Sequence, residues 1–174
     1  MRRIAALLVG VVALVGVVAS VAPASGQPGG ESDPVFVTKI PPGYRDWRLI
    51  SVAREEGTLN DIRAILGNNK AIQAYRDGKL PFPEGTIIAR LAWSHDASEE
   101  NNNVFGHPQS FVAGTPKNGV QFMVKDSKKY ASTGGWGYGH FEDGKPADKK
   151  MLATCFPCHA KIQTRDFVFT RYAP

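Results

Sequence analysis

The chain opens on an apolar run, Ile4 to Val21, interrupted only by Ser20, and then breaks into short alternating stretches. The run follows Arg2-Arg3 and ends on small residues, Ala22-Pro23-Ala24 and Ala24-Ser25-Gly26. A basic start, an apolar centre and an A-x-A-like end mark a secretory signal, so residues 1–26 are expected to be a cleaved signal peptide. An uncleaved anchor is the alternative, because the run is near the lower length for a span. Residues 27–34 (QPGGESDP) are rich in Gly, Pro and polar side chains and read as a flexible leader. A single folded domain is expected over residues 35–174.

Within that domain the hydrophobic period is mostly two. Arg48 to Ala53, Gly85 to Trp93, Gly119 to Lys125 and Trp136 to Phe141 read as strands, the last two as partners. Asp61 to Leu66 is a strand or a helix start. Asn69 to Arg76 reads as a short helix ended by Asp77-Gly78. Ser94 to Gly106, with two Glu and three Asn in a row, reads as a polar loop. Ala147 to Lys161 reads as a helix, and Asp166 to Tyr172 as a closing strand. Strands followed by a terminal helix predict an α+β fold, a single domain rich in antiparallel β-sheet.

Charge changes this picture little. The 174 residues carry 21 Lys and Arg against 16 Asp and Glu, a net charge of +5. Two of those basic residues lie in the signal, and the rest are spread along the chain. No nucleic-acid patch is expected, and no membrane association after cleavage.

The cysteines change it greatly. The only two lie in Cys155-Phe156-Pro157-Cys158-His159, the attachment signature of a c-type haem. On a helix, positions three and four apart share a face, so both thiols and the imidazole can meet one porphyrin. A disulfide in so small a loop is usually redox-active rather than structural. A thioredoxin-like motif should open the helix of a βαβ unit, and the residues before Cys155 do not read that way. Zinc wants four ligands, and the motif offers three. One covalently attached haem c is expected, with His159 as proximal iron ligand. The signal and the haem together place the protein in the periplasm or outside the cell.

The motif also sits unusually late. Only 15 residues follow His159 and none is Met. Small electron-transfer cytochromes c carry the motif early and a methionine ligand long after it. The four-helix cytochromes c′ carry it late but are helical elsewhere, whereas this chain is strand-rich. The haem helix is therefore expected to lie on an antiparallel sheet.

Six segments taken in order resemble one family. They are Gly43-Tyr44-Arg45-Asp46-Trp47, Phe82-Pro83-Glu84-Gly85-Thr86-Ile87-Ile88, Val124-Lys125-Asp126-Ser127-Lys128, Gly135-Trp136, the haem motif, and Asp166 to Tyr172 (DFVFTRY). From about Pro42 to the C-terminus the chain resembles the cytochrome P-460 and cytochrome c′-beta family. The resemblance implies a β-rich, usually dimeric fold and a five-coordinate haem with an open distal face. One branch of that family oxidises hydroxylamine and bears a lysine cross-linked to the haem edge. Arg90 stands at the matching position here, and guanidinium is a poor nucleophile. This disfavours hydroxylamine oxidoreductase activity. The other branch lacks the cross-link, holds apolar side chains over the distal face and binds nitric oxide.

Three functions are therefore weighed. The first is binding of nitric oxide or a related small nitrogen species; the second is hydroxylamine oxidation. The third is electron transport with a filled sixth position. Each implies exchange with a redox partner protein or a small nitrogenous ligand. Candidate pocket residues follow from strand alternation. Met123 shares a face with Gln121 and Lys125, and Phe122 shares the other with Val120 and Val124. Met123 as an axial ligand and Phe122 as a distal cap are thus mutually exclusive. His140 is a ligand, a proton shuttle, or a surface or hydrogen-bonded histidine. Trp136 packs on the haem or in ordinary core. Arg90 pairs with a haem propionate or faces solvent. Arg165 and Asp166 are candidates to orient the His159 ring. His95 and His107 are expected to be solvated, and Lys125 to Lys129 to form a polar hairpin end.

Overall fold

A computed structural model of the chain describes residues 36–173. The expected signal, leader and domain start at Val35 lie outside the described residues. Six strands form one antiparallel sheet in sequence order: β1 (Arg48–Glu55), β2 (Asp61–Gly67), β3 (Ile87–Ala97), β4 (Phe111–Lys125), β5 (Trp136–Glu142) and β6 (Lys145–Pro146). Asp61–Leu66 thus resolves as strand. Helix α1 (Asn69–Arg76) bridges β2 and β3. The Asn68 side chain caps it by accepting from Ala71 N–H at 3.0 Å. Gly78, at φ +59°, closes it. At the far end of the sheet, Asp143 and Gly144 both have positive φ, as a tight hairpin turn requires.

Two expectations about loops and strands are corrected. Ser94 to Gly106 is not a polar loop: β3 runs on to Ala97, and α2 (Glu99–Phe105) follows. The Ser98 side chain accepts from Asn101 N–H, two acidic residues occupy the first turn, and Gly106 ends it in the left-handed region. β4 correspondingly begins at Phe111, eight residues before the expected start, and Asp96 pairs with Val112 in a long hairpin. Pro116 sits where the register shifts, at a bulge that tolerates its missing N–H. Asp166 to Tyr172 is not a strand. Asp166 (φ +49°) and Phe167 (φ +64°) turn the chain away from pairing. The segment then crosses to α1, where Tyr75 stacks on Tyr172 and donates to Thr170 O at 3.1 Å.

The expected haem helix is also broken. It appears as α3 (Lys149–Ala153) and α4 (Cys155–His159), followed by a 3-10 segment, Ala160–Arg165. Asp148 caps α3 through Met151 N–H at 2.7 Å. Pro157 has no N–H for the carbonyl of Ala153, and its ring crowds that carbonyl. The break falls at Thr154, whose hydroxyl donates back to Met151 O at 2.6 Å.

The sheet separates two cores. One face holds Val37, Ala89, Leu91, Phe122, Tyr130 and Phe141. The other holds Ile50, Ile65, Ile88, Trp136 and Tyr138, covered by α1, Phe82, Phe167 and Val168. The motif helix lies on this second face, where Phe156 and Cys155 pack against it.

Candidate functional site

Register decides what meets the motif. Ser51, Ile65, Arg90, Gln121 and His140 are paired in turn across five strands, so period-two alternation puts all five on one face. The next row along the strands is Ile88, Met123 and Tyr138. These rows, with Arg63 and Glu55, form one wall of a cavity of about 570 Å³. Cys155, Cys158, His159 and residues 168–171 form the other. That volume is of the size that holds a cofactor.

His159 is held firmly. Its Nδ1 lies 2.7 Å from Phe167 O, so Nδ1–H donates and Nε2 keeps its lone pair. Its ring packs on Tyr138 at 4.9 Å and Phe169 at 5.0 Å between centroids. Burial lowers its proton affinity, and the bond to Phe167 partly offsets this. The outcome favours neutral imidazole, the form that binds metal. Neither Arg165 nor the Asp166 side chain bonds this ring directly. Arg165 donates to Phe169 O at 2.7 Å, and Asp166 bonds elsewhere; a backbone carbonyl takes the role. Cys155 is half-buried, Cys158 is exposed, and the two form no disulfide. Burial raises the Cys155 thiol, with Cys158 adding to the effect.

Opposite, Asp61 is fully buried and binds two guanidinium groups. Arg63 donates to both its oxygens, at 2.8 and 2.9 Å, and Arg90 Nη2 donates at 2.7 Å. Burial and the neighbouring Arg63 lower the Arg90 value, against the pull of Asp61. Arg90 Nη1 is buried without a partner among the described residues, and Arg90 lines the cavity. His140 uses both nitrogens: Nδ1 is 3.3 Å from Gln121 Nε2 and Nε2 is 3.2 Å from Glu142 Oε1.

Two expected pocket side chains lie elsewhere. Phe122 borders the cavity, but its ring packs on Tyr44 and Phe141 in the opposite core. It therefore does not cap the pocket. Trp136 lies one row beyond Met123 and Tyr138, fully buried against Phe82. It is core, not cavity wall. Alternation alone places Phe122, but the depth of Trp136 depends on register. His95 is not simply solvated: it contacts Arg54 at 3.0 Å, Asn60 at 3.1 Å and the Phe111 ring. His107 is exposed. Lys125 is buried rather than at a polar hairpin end. Sequence reasoning missed Arg63 and Asp61, whose only signal is an acid and a base two apart on an amphipathic strand.

The residues fit a haem. Two thiols and a histidine with a free Nε2 share one wall, the cavity suits a cofactor, and Arg90 Nη1 lacks the acceptor that a carboxylate would supply. No group of three or more His, Cys, Asp or Glu among the described residues is placed to hold a bare metal ion. Fold and site together define a haem-binding α+β protein, with the sheet rather than a helical bundle as its scaffold. No curated protein matches the chain. The family model described as Cytochrome P460 matches residues 41–170, and the chain belongs to that family. Membership implies a haem cofactor.

Proposed function

We propose that the protein is an exported monohaem c-type cytochrome that binds nitric oxide or a related small nitrogen species. Cys155 and Cys158 would hold the group covalently, and His159 Nε2 would be the proximal ligand. Arg90 Nη1 would meet a propionate. Haem, when bound, would supply an iron with a position able to take a small ligand.

The observation that carries this reading is the state of the two side chains able to compete for that position. His140 is engaged at both nitrogens by Gln121 and Glu142. Met123 packs against the core that contains Ile88 and Tyr138. The engagement of His140 supports an open site over an electron carrier with two protein ligands, and Met123, in the cavity wall, is the side chain left to test. The wall is mixed rather than apolar: Ile65, Ile88 and Met123 stand beside Arg63, Arg90, Gln121 and His140. An apolar patch suits an uncharged diatomic, and the polar row offers hydrogen-bond donors to a bound nitrogen species. Arg90, held by Asp61 at 2.7 Å, supports the reading without a haem–lysine cross-link. We further propose that the protein works in the periplasm or outside the cell as a homodimer and exchanges electrons with a redox partner.

Absorption spectra of the ferric, ferrous and nitric-oxide-treated ferrous protein test this, with intact mass to count bonds to haem. High-spin spectra, a nitric oxide adduct and a mass without further cross-links are expected. A low-spin ferrous protein that ignores the gas would overturn it, and hydroxylamine-dependent dye reduction would favour the enzyme.

A further inference from the structure

Outside the cavity lies a buried ion pair with no role in holding the cofactor. Lys125 and Asp166 are 5% and 8% exposed. Lys125 Nζ donates to both Asp166 oxygens, at 2.8 and 3.0 Å, and to Gly134 O at 3.2 Å, and it sits over the Trp136 ring. Phe82 N–H also donates to Asp166, at 2.8 Å. A buried pair is a costly way to gain stability, because both charges lose their hydration. Its presence asks for a further reason.

The geometry points to the proximal histidine. Asp166 and Phe167 both adopt left-handed backbone, which non-glycine residues disfavour. This turn swings the Phe167 carbonyl onto His159 Nδ1 at 2.7 Å. Backbone bonds from Phe167 N–H to Ile162 O and from Val168 N–H to Arg165 O close the turn, and side-chain contacts add to them. Lys125 and Phe82 N–H clamp the Asp166 side chain, and the Phe167 ring fills the space that a Cβ at Gly134 would need. A carbonyl fixed in this way takes a stronger hydrogen bond from imidazole, which makes the ring a better donor to iron.

We propose that the Lys125–Asp166 pair is a positioning device for His159. It sets the strength of the proximal hydrogen bond, and thereby the iron's preference between oxidation states. The proposal rests on the reading of His159 as proximal ligand. Lys125 and Asp166 touch neither cofactor nor bound ligand and act only through the turn.

Two variants test it. Lys125→Met removes the cation at similar length. Asp166→Asn keeps an acceptor for Phe82 N–H, tolerates left-handed backbone and removes the charge pairing. The haem-loaded proteins are compared by the ferrous iron–histidine stretching band and by midpoint potential. Both variants should shift the band to lower frequency and the potential to more positive values, and Lys125→Arg should return both towards wild type. If Lys125→Met does not fold, Asp166→Asn alone carries the test. Variants that only melt earlier, with band and potential unmoved, would overturn the proposal. A wild-type protein without an iron–histidine band would instead overturn the proximal assignment itself.

Discussion

Replacing Gly134 by alanine drives a methyl group into the Phe167 ring. An added Cβ would lie 2.3 Å from both Cε2 and Cζ of that ring, closer than real carbon contacts allow. The backbone is at φ +68°, where an L side chain carries its own penalty of about 1–2 kcal/mol. Phe167 is 9% exposed and packs in the core beneath the cavity, so it cannot simply swing into solvent. Overpacking of this kind costs about 1–3 kcal/mol, which brings the total to about 2–5 kcal/mol. Gly57 supplies the control. It too has φ +68°, but an added Cβ meets nothing within 4 Å. Gly57→Ala should therefore lose the backbone penalty alone. Urea unfolding followed by far-ultraviolet circular dichroism measures both, and their difference isolates the clash at about 1–3 kcal/mol. Equal losses would show that Phe167 yields freely and that the turn above His159 is not rigidly packed.

Asp61→Ala should cost about 3 kcal/mol in the same assay, because it leaves two guanidinium groups facing one another. The figure sits at the low end since Arg63 and Arg90 retain 13% and 15% side-chain exposure. Glu84 is held below its ordinary value of 4.5 by the Ser127 hydroxyl and then by the Ser127 N–H. Its folded value is depressed, so its contribution is present above 4.5 and is lost as pH falls through the lower folded value. Stability of Glu84→Gln measured against pH should accordingly lose its gap from wild type on acidification; a gap that stays constant would refute this. His140→Ala and Met123→Ala should each leave the ferric spectrum high-spin and unchanged, whereas conversion from low spin in either would identify a sixth ligand.

Where local chemistry decides an element, the residues announce it. Asn68 and Asp77-Gly78 bound α1 to the residue, and the alternation of Trp136 to Phe141 gives β5 and its partner β4. The haem motif is legible for the same reason, since its three functional residues are neighbours in the chain. Longer-range effects hide the rest. The polar composition of Glu99 to Asn103 masks a helix whose caps, Ser98 and Gly106, sit at its edges. Asp166 to Tyr172 alternates as a strand does, but two left-handed residues at its start remove it from the sheet. Lys125 reads as the first residue of a charged turn, and only its partner 41 positions away explains its burial. The sheet wall of the cavity is the least legible part. Arg63, Arg90, Gln121 and His140 come from four strands, and a shift of one residue in any pairing would turn a member away from the cavity.

The two-faced sheet separates what the protein must be from what it can become. The Val37–Phe122–Phe141 side closes on itself, with no contribution from the motif helix. That side can keep the strands aligned before any porphyrin arrives, and it can absorb the destabilisation of changes on the other. A lineage could thus exchange wall residues and retune ligand preference while the scaffold persisted. Circular dichroism of a sample lacking its pigment is therefore expected to keep its β-signal, and its loss would show that colour and foldedness are one attribute.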